Sequence, residues 1–214
     1  MLRLLNQLLF PPKCILCQKI LTPGLVDLCA QCRAQTPEFT KSKKRHSFLA
    51  RWTAVWYYRG SVRNSILRYK FQRRVSYAPA FGRFLAMKLQ EAELDDFDVL
   101  TWVPISAARL RVRGYDQMVL VTRAVGQELG VEPEKTLVKI RNTPPQSSLR
   151  GFAQRKANVL GAYQVADPQR IKDKRILLLD DVITTGATAS ECARTLLTAG
   201  AKEVTFAAIA TADE

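Results

Sequence analysis

Two adjacent acids followed by a run of hydroxyls occupy residues 176–188, which read Ile-Leu-Leu-Leu-Asp-Asp-Val-Ile-Thr-Thr-Gly-Ala-Thr. The paired carboxylates of Asp180 and Asp181 suit sugar hydroxyls or a partly hydrated magnesium ion. Thr184, Thr185, Gly186, Ala187 and Thr188 stand where a helix should begin. There, unpaired N–H groups and the positive end of the helix dipole favour a phosphate. Gly186 lets the backbone come close to such an anion. The chemistry is that of a sugar carrying a phosphate. In isolation the same residues also fit a polar strand end whose threonines cap the next helix.

A second set of residues suits a metal. Cys14 and Cys17, then Cys29 and Cys32, form two Cys-x-x-Cys pairs separated by eleven residues. Four thiolates in two close pairs fit tetrahedral zinc. A disulfide pair or a redox dithiol is the rival. A reducing cytoplasm disfavours the first, and the second needs a thioredoxin-like context that the sequence does not show. With no open coordination position the zinc is structural, folding a segment too small for a core of its own. His46 is the only histidine and reads as a solvated linker residue, not a ligand.

Arginines make the third set. Arg109, Arg111 and Arg113 lie close together in residues 105–117, read as a loop. If it leaves the same sheet edge as the Thr-Thr-Gly turn, its guanidinium groups can grip a diphosphate. A solvated basic loop is the alternative. Arg63, Arg68, Lys70, Arg73 and Arg74, with interleaved aromatics, fit either stacked single-stranded nucleic acid or a solvated helix face.

These residues need elements to hold them. The unbroken apolar run Ile176 to Leu179 fits a strand buried on both faces of a parallel sheet, ending at the acids. Further strands are expected at 52–58, 98–103 (the first of the main sheet), 136–140, 161–165 and 204–210. Helices are expected from an N-cap at Ser61 to Phe71, and at 78–91, 119–129 and 189–199, the last carrying Cys192 as an inert buried thiol. Residues 141–158 lose periodicity and read as a lid loop, with a mobile linker as the alternative. Leu2, Leu4, Leu5, Leu8 and Leu9 could form a short helix stopped by Pro11 and Pro12. The pattern is α/β, a parallel sheet flanked by helices. Residues 1–37 form an N-terminal helix and zinc segment, 38–50 a basic linker, and 51–214 the main domain.

The chain of 214 residues suits one α/β domain with a small appendage. Lys and Arg number 33 against 19 Asp and Glu, a formal charge of +14. Such a surface favours polyanions, whether nucleic acid, anionic lipid or a polyphosphorylated substrate. No run reaches membrane-spanning length and no signal peptide is recognisable, so a cytoplasmic protein is expected.

At all thirteen positions residues 176–188 resemble the phosphoribosyl-pyrophosphate motif of the type I phosphoribosyltransferases. That resemblance implies ribose contacts for Asp180 and Asp181 and 5-phosphate contacts for Thr184 through Thr188. The other residues that carry a likeness are the two Cys-x-x-Cys pairs, Arg111-Val-Arg113-Gly114-Tyr115-Asp116-Gln117, Arg141 with Thr143 and Gln146, Arg155 with Asn158, and Gly161-Ala162-Tyr163. With them the chain resembles the ComF family along essentially its full length. One departure is Gln18 after Cys17, where zinc knuckles commonly have glycine.

The family resemblance implies a type I phosphoribosyltransferase fold behind a four-cysteine zinc segment, and a diphosphate-binding loop at Ser106, Ala107, Ala108 and Arg109. It implies magnesium bound with phosphoribosyl pyrophosphate, and a transferase whose acceptor no stretch announces. It also implies a link to natural competence and DNA uptake, with single-stranded DNA or an uptake helicase as partners. A non-catalytic sensor or scaffold that keeps the same pocket is the other reading.

Overall fold

Residues 11–40, 44–144 and 152–212 are described in the computed structural model of the chain. The expected helix before Pro11 lies outside them, as do Lys41, Lys43 and residues 145–151 of the expected lid.

The apolar run at 176–179 is the middle of the molecule. It belongs to β5 (Arg175–Ile183), which lies between β6 (Glu203–Thr211) and β2 (Val99–Trp102). β1 (Arg51–Tyr57) flanks β6, and all four strands are parallel in the order β1-β6-β5-β2. Ile176 and Leu178 pack into one apolar layer and Leu177 and Leu179 into the other, as a strand covered on both faces requires. β1 joins the main sheet at its edge, so residues 98–103 are not, as expected, its first strand.

Helices cover both faces. On one lie α2 (Gly60–Phe71), α3 (Ala78–Glu91) and α5 (Gln117–Leu129), contributing Ile66, Tyr69, Phe81, Leu85, Met118 and Val121 to the core. On the other lies α7 (Ala187–Thr198), with Cys192, Ala193 and Leu196. The cap of α2 is Arg59, not the expected Ser61, so the helix starts with Gly60.

Three more expectations change. The 105–117 stretch is not a loop: Ser106 caps a short helix, α4 (Ala107–Arg113), by accepting from the N–H of Arg109 at 3.3 Å. β3 (Leu137–Lys139) and β4 (Tyr163–Val165) leave the main sheet to form their own antiparallel pair. Within the expected lid, Phe152–Val159 forms α6, which packs on α7.

The cysteine segment includes α1 (Ala30–Gln35), capped by Cys29. Its apolar residues Ile15, Leu16, Leu21 and Leu28 are buried in the same cluster as Trp56, Tyr69 and Phe81. The segment therefore borrows the core of the main sheet.

Candidate functional site

Parallel strands put all their carboxyl ends on one edge, and the loops leaving that edge surround a cleft of about 1160 Å³. Tyr58 follows β1, Val103, Pro104 and Ile105 follow β2, and the whole of Asp180 to Ala189 borders the opening.

The acids do not sit past the strand end. β6 stays alongside β5 as far as the pair Ile183 and Thr211, so the ladder runs four residues beyond Leu179 and Asp180 and Asp181 lie within the strand. Neighbouring residues of a strand point to opposite sides, and their surroundings differ accordingly. Asp181 is buried, with one oxygen accepting from Lys70 Nζ at 2.8 Å and the other from Gln117 Nε2 at 3.0 Å. Asp180 is partly exposed in the cleft wall, and one of its oxygens accepts from the N–H of Asp181 at 2.8 Å. Burial, reinforced by the Asp181 charge, pushes the Asp180 carboxyl well above the usual carboxylate range.

Thr184, Thr185, Gly186, Ala187 and Thr188 all line the cleft, ahead of and within the first turn of α7. Gly186 caps that helix in the left-handed region, φ 76°. A Cβ there would meet His46 Nδ1 at 2.0 Å. His46 is thus not the solvated linker residue expected: it is 7% exposed, packed edge-on to Trp52 and pressed against the Thr-Thr-Gly turn. Opposite, Arg155 of α6 donates to Thr184 Oγ1 at 3.1 Å.

Across the cleft stand α4 residues. Ala108, Arg109 and Arg113 line it, whereas Arg111 is exposed outside it and Ala107 is likewise exposed and not in the lining. Ser106 is buried and ties its hydroxyl to Asn142 Oδ1 at 2.9 Å, and Arg109 donates to the Thr143 carbonyl at 3.0 Å. Arg113 also donates to Gln117 Oε1, which orients the amide that holds Asp181. Five basic residues read as one face of the α2 region separate here: Lys70 and Arg68 turn inward to protein acceptors, while Arg63, Arg73 and Arg74 are exposed.

Sequence reasoning missed Lys70 and Gln117 as the partners of Asp181. Gln117 closes the stretch Arg111 to Gln117 that carries the family likeness, and Lys70 has no signal beyond its charge.

The sulfur atoms of Cys14, Cys17, Cys29 and Cys32 lie within 4.8 Å of one another. Tetrahedral zinc with Zn–S bonds near 2.3 Å sets sulfurs about 3.8 Å apart, so the cluster fits the ion. The N–H of Cys32 points at Cys29 Sγ, 3.4 Å away, and brings that thiol down to about 7, whereas burial raises Cys17 and Cys32. The fifth cysteine, Cys192, is buried in α7 as expected. No helix among the described residues is long and apolar enough to cross a membrane.

Comparison with known proteins matches two separate stretches of the chain. Residues 119–214 match the family described as phosphoribosyl transferase domain, and residues 5–43 match that described as double zinc ribbon domain. "DNA utilization protein YhgH" of Salmonella typhimurium is 31% identical over 140 residues, 63% of this chain and 60% of that one. "Competence protein F" of Haemophilus influenzae is 26% identical over 182 residues, 82% and 75% of the two chains. "Competence protein ComFC" of Streptococcus pneumoniae is 30% identical over 151 residues, 71% and 64%. The match thus spans 60% of the length of the DNA utilization protein.

Proposed function

With ComF-type relatives, a zinc ribbon and a phosphoribosyl transferase domain as its premises, we propose that this chain binds phosphoribosyl pyrophosphate with magnesium and transfers its phosphoribosyl group. The observation that carries the reading is the shared cleft, in which two acids, a hydroxyl-lined helix start and two arginines face one another at the carboxyl edge of a parallel sheet. Asp180 and Asp181 serve the ribose hydroxyls, Asp181 after its ion pair with Lys70 has set its position. Thr184 to Thr188 take the 5-phosphate, and Ala108, Arg109 and Arg113, the cleft-lining residues of α4, take the diphosphate.

Displacement of diphosphate by an amine or base at the anomeric carbon develops positive charge on the ring and negative charge on the leaving group. Asp181 opposes the first and the arginines the second. Magnesium, held with the ligand, supplies further neutralisation of the diphosphate oxygens. Calorimetric titration of the full chain with phosphoribosyl pyrophosphate and magnesium tests the binding. The double variant Asp180→Ala, Asp181→Ala should lose roughly tenfold or more in affinity, about 1.4 kcal/mol; unchanged affinity sinks the site. Diphosphate release on adding amines and bases tests the transfer.

A second reading has its own observation. Phe71 and Val112, 68% and 86% exposed, stand at the lip of the cleft beside Arg73 and Arg113. Relatives named for competence and DNA utilization make single-stranded DNA, or a protein of DNA uptake, a fitting partner for that lip. In that case the pocket is a sensor: ligand binds, no amine or base takes its phosphoribosyl group, no diphosphate is released, and DNA affinity falls steeply with salt.

A further inference from the structure

Lys139 ends β3 and pairs in register with Tyr163 of β4. Its ammonium lies over the Tyr163 ring, 5.1 Å from the centroid, and both side chains line the cleft. Among the described residues no acid makes an ion pair with it, while the Arg109 guanidinium stands near enough to repel it. Burial, followed by Arg109, brings this lysine down to about 8, with Cys192 and Asp180 pulling the other way by less and Arg141 adding to the lowering. A half-buried ammonium beside another cation and without a carboxylate partner is costly, and an anion arriving in the cleft removes that cost.

The small sheet that carries Lys139 is fastened to the arginine side of the cleft. Directly after β3, Asn142 accepts from Ser106 and Thr143 accepts from Arg109. The hydroxyl turn on the other side already has its own arginine, Arg155, at Thr184.

We propose that Lys139 is a ligand for the diphosphate arm of the bound sugar, completing a ring of cations with Arg109 and Arg113, and that it does not hold the 5-phosphate. The proposal rests on the reading of the cleft given above and adds a residue from a different sheet to it. Because part of the lysine population is neutral near pH 8, an incoming diphosphate draws a proton in with it.

The test is calorimetry on the full chain at pH 8 with three probes, each with magnesium: inorganic pyrophosphate, ribose 5-phosphate and phosphoribosyl pyrophosphate. Lys139→Met keeps an apolar stem over Tyr163 and removes the charge. Affinity for pyrophosphate and phosphoribosyl pyrophosphate should fall by roughly tenfold or more, and that for ribose 5-phosphate should stay within about twofold. The retained ribose 5-phosphate binding also shows that the variant is folded. Lys139→Arg should recover most of the loss. The proton count of pyrophosphate binding, read from the dependence of its enthalpy on the ionisation heat of the buffer, should be shifted toward uptake in the wild type relative to Lys139→Met, since the proton carried by pyrophosphate itself is common to both. Equal losses for all three probes, or an unchanged affinity for pyrophosphate, overturn the assignment of Lys139 while leaving the cleft reading in place. A wild type that binds none of the probes overturns both.

Discussion

Asp180 and Asp181 have the same side chain and consecutive numbers, yet the strand turns them into different environments. Both oxygens of Asp181 are occupied, by Lys70 and Gln117. Asp180 faces the cleft with its carboxyl raised, first by burial and then by the charge next door. A raised carboxyl contributes stability that is complete below the unfolded value of about 3.9 and is lost as pH rises through the folded value. Asp180→Asn removes that loss. Its melting temperature should match the wild type at acid pH and exceed it by a margin that grows as pH rises, while ligand affinity falls. Melting curves across pH that stay parallel contradict the raised carboxyl. The two acids and the threonines were legible because they are contiguous. Lys70 was not, since the residue it serves is 111 positions away and only the sheet order brings them together.

Among the elements, burial decided what could be read. The run Ile176 to Leu179 announced its strand, but where β5 ends depends on how long β6 stays beside it, and the polar residues Asp180 and Asp181 hid that extension. The short helix α4 was concealed for the opposite reason, because none of its seven residues is buried and no apolar periodicity exists to reveal it. Helix α3 shows a constraint of packing that composition cannot express. A Cβ on Gly82 would lie 2.3 Å from the Cβ of Ala124 in α5, so the two helices approach at a point where only glycine fits. Gly82→Ala would gain about 1 kcal/mol of helix propensity on an exposed face. Here the overlap should reverse the sign and destabilise by about 1–3 kcal/mol in urea denaturation. Adding Ala124→Gly should recover part of the loss; a Gly82→Ala variant as stable as the wild type shows that the helices can part freely.

Across the whole molecule, the cysteine segment and the cleft are joined by one helix. Cys14 and Cys17 bracket Ile15 and Leu16, whose carbonyls are held by α2: Ile15 by Ser65 at 2.6 Å and Arg68 at 3.0 Å, Leu16 by Arg68 at 2.6 Å. Two residues beyond Arg68, Lys70 reaches Asp181 in the cleft wall. A second tie, the two-point contact of Arg83 with Asp27, anchors the same segment to α3. Zinc binding energy is folding energy for a segment of this kind, so removing the ion should loosen the two carbonyls that fix α2. Chelation should release one zinc per chain, lower the melting temperature and weaken the binding of phosphoribosyl pyrophosphate by several-fold, although no cysteine touches the cleft. Arg68→Met leaves every thiol in place and cuts only the link. It should keep its zinc, measured by colorimetric release under denaturant, and still show the weakened binding. If it binds ligand as the wild type does while the chelated protein does not, the effect of metal loss travels through general unfolding and not through α2. If chelation leaves binding intact, ribbon and cleft are independent.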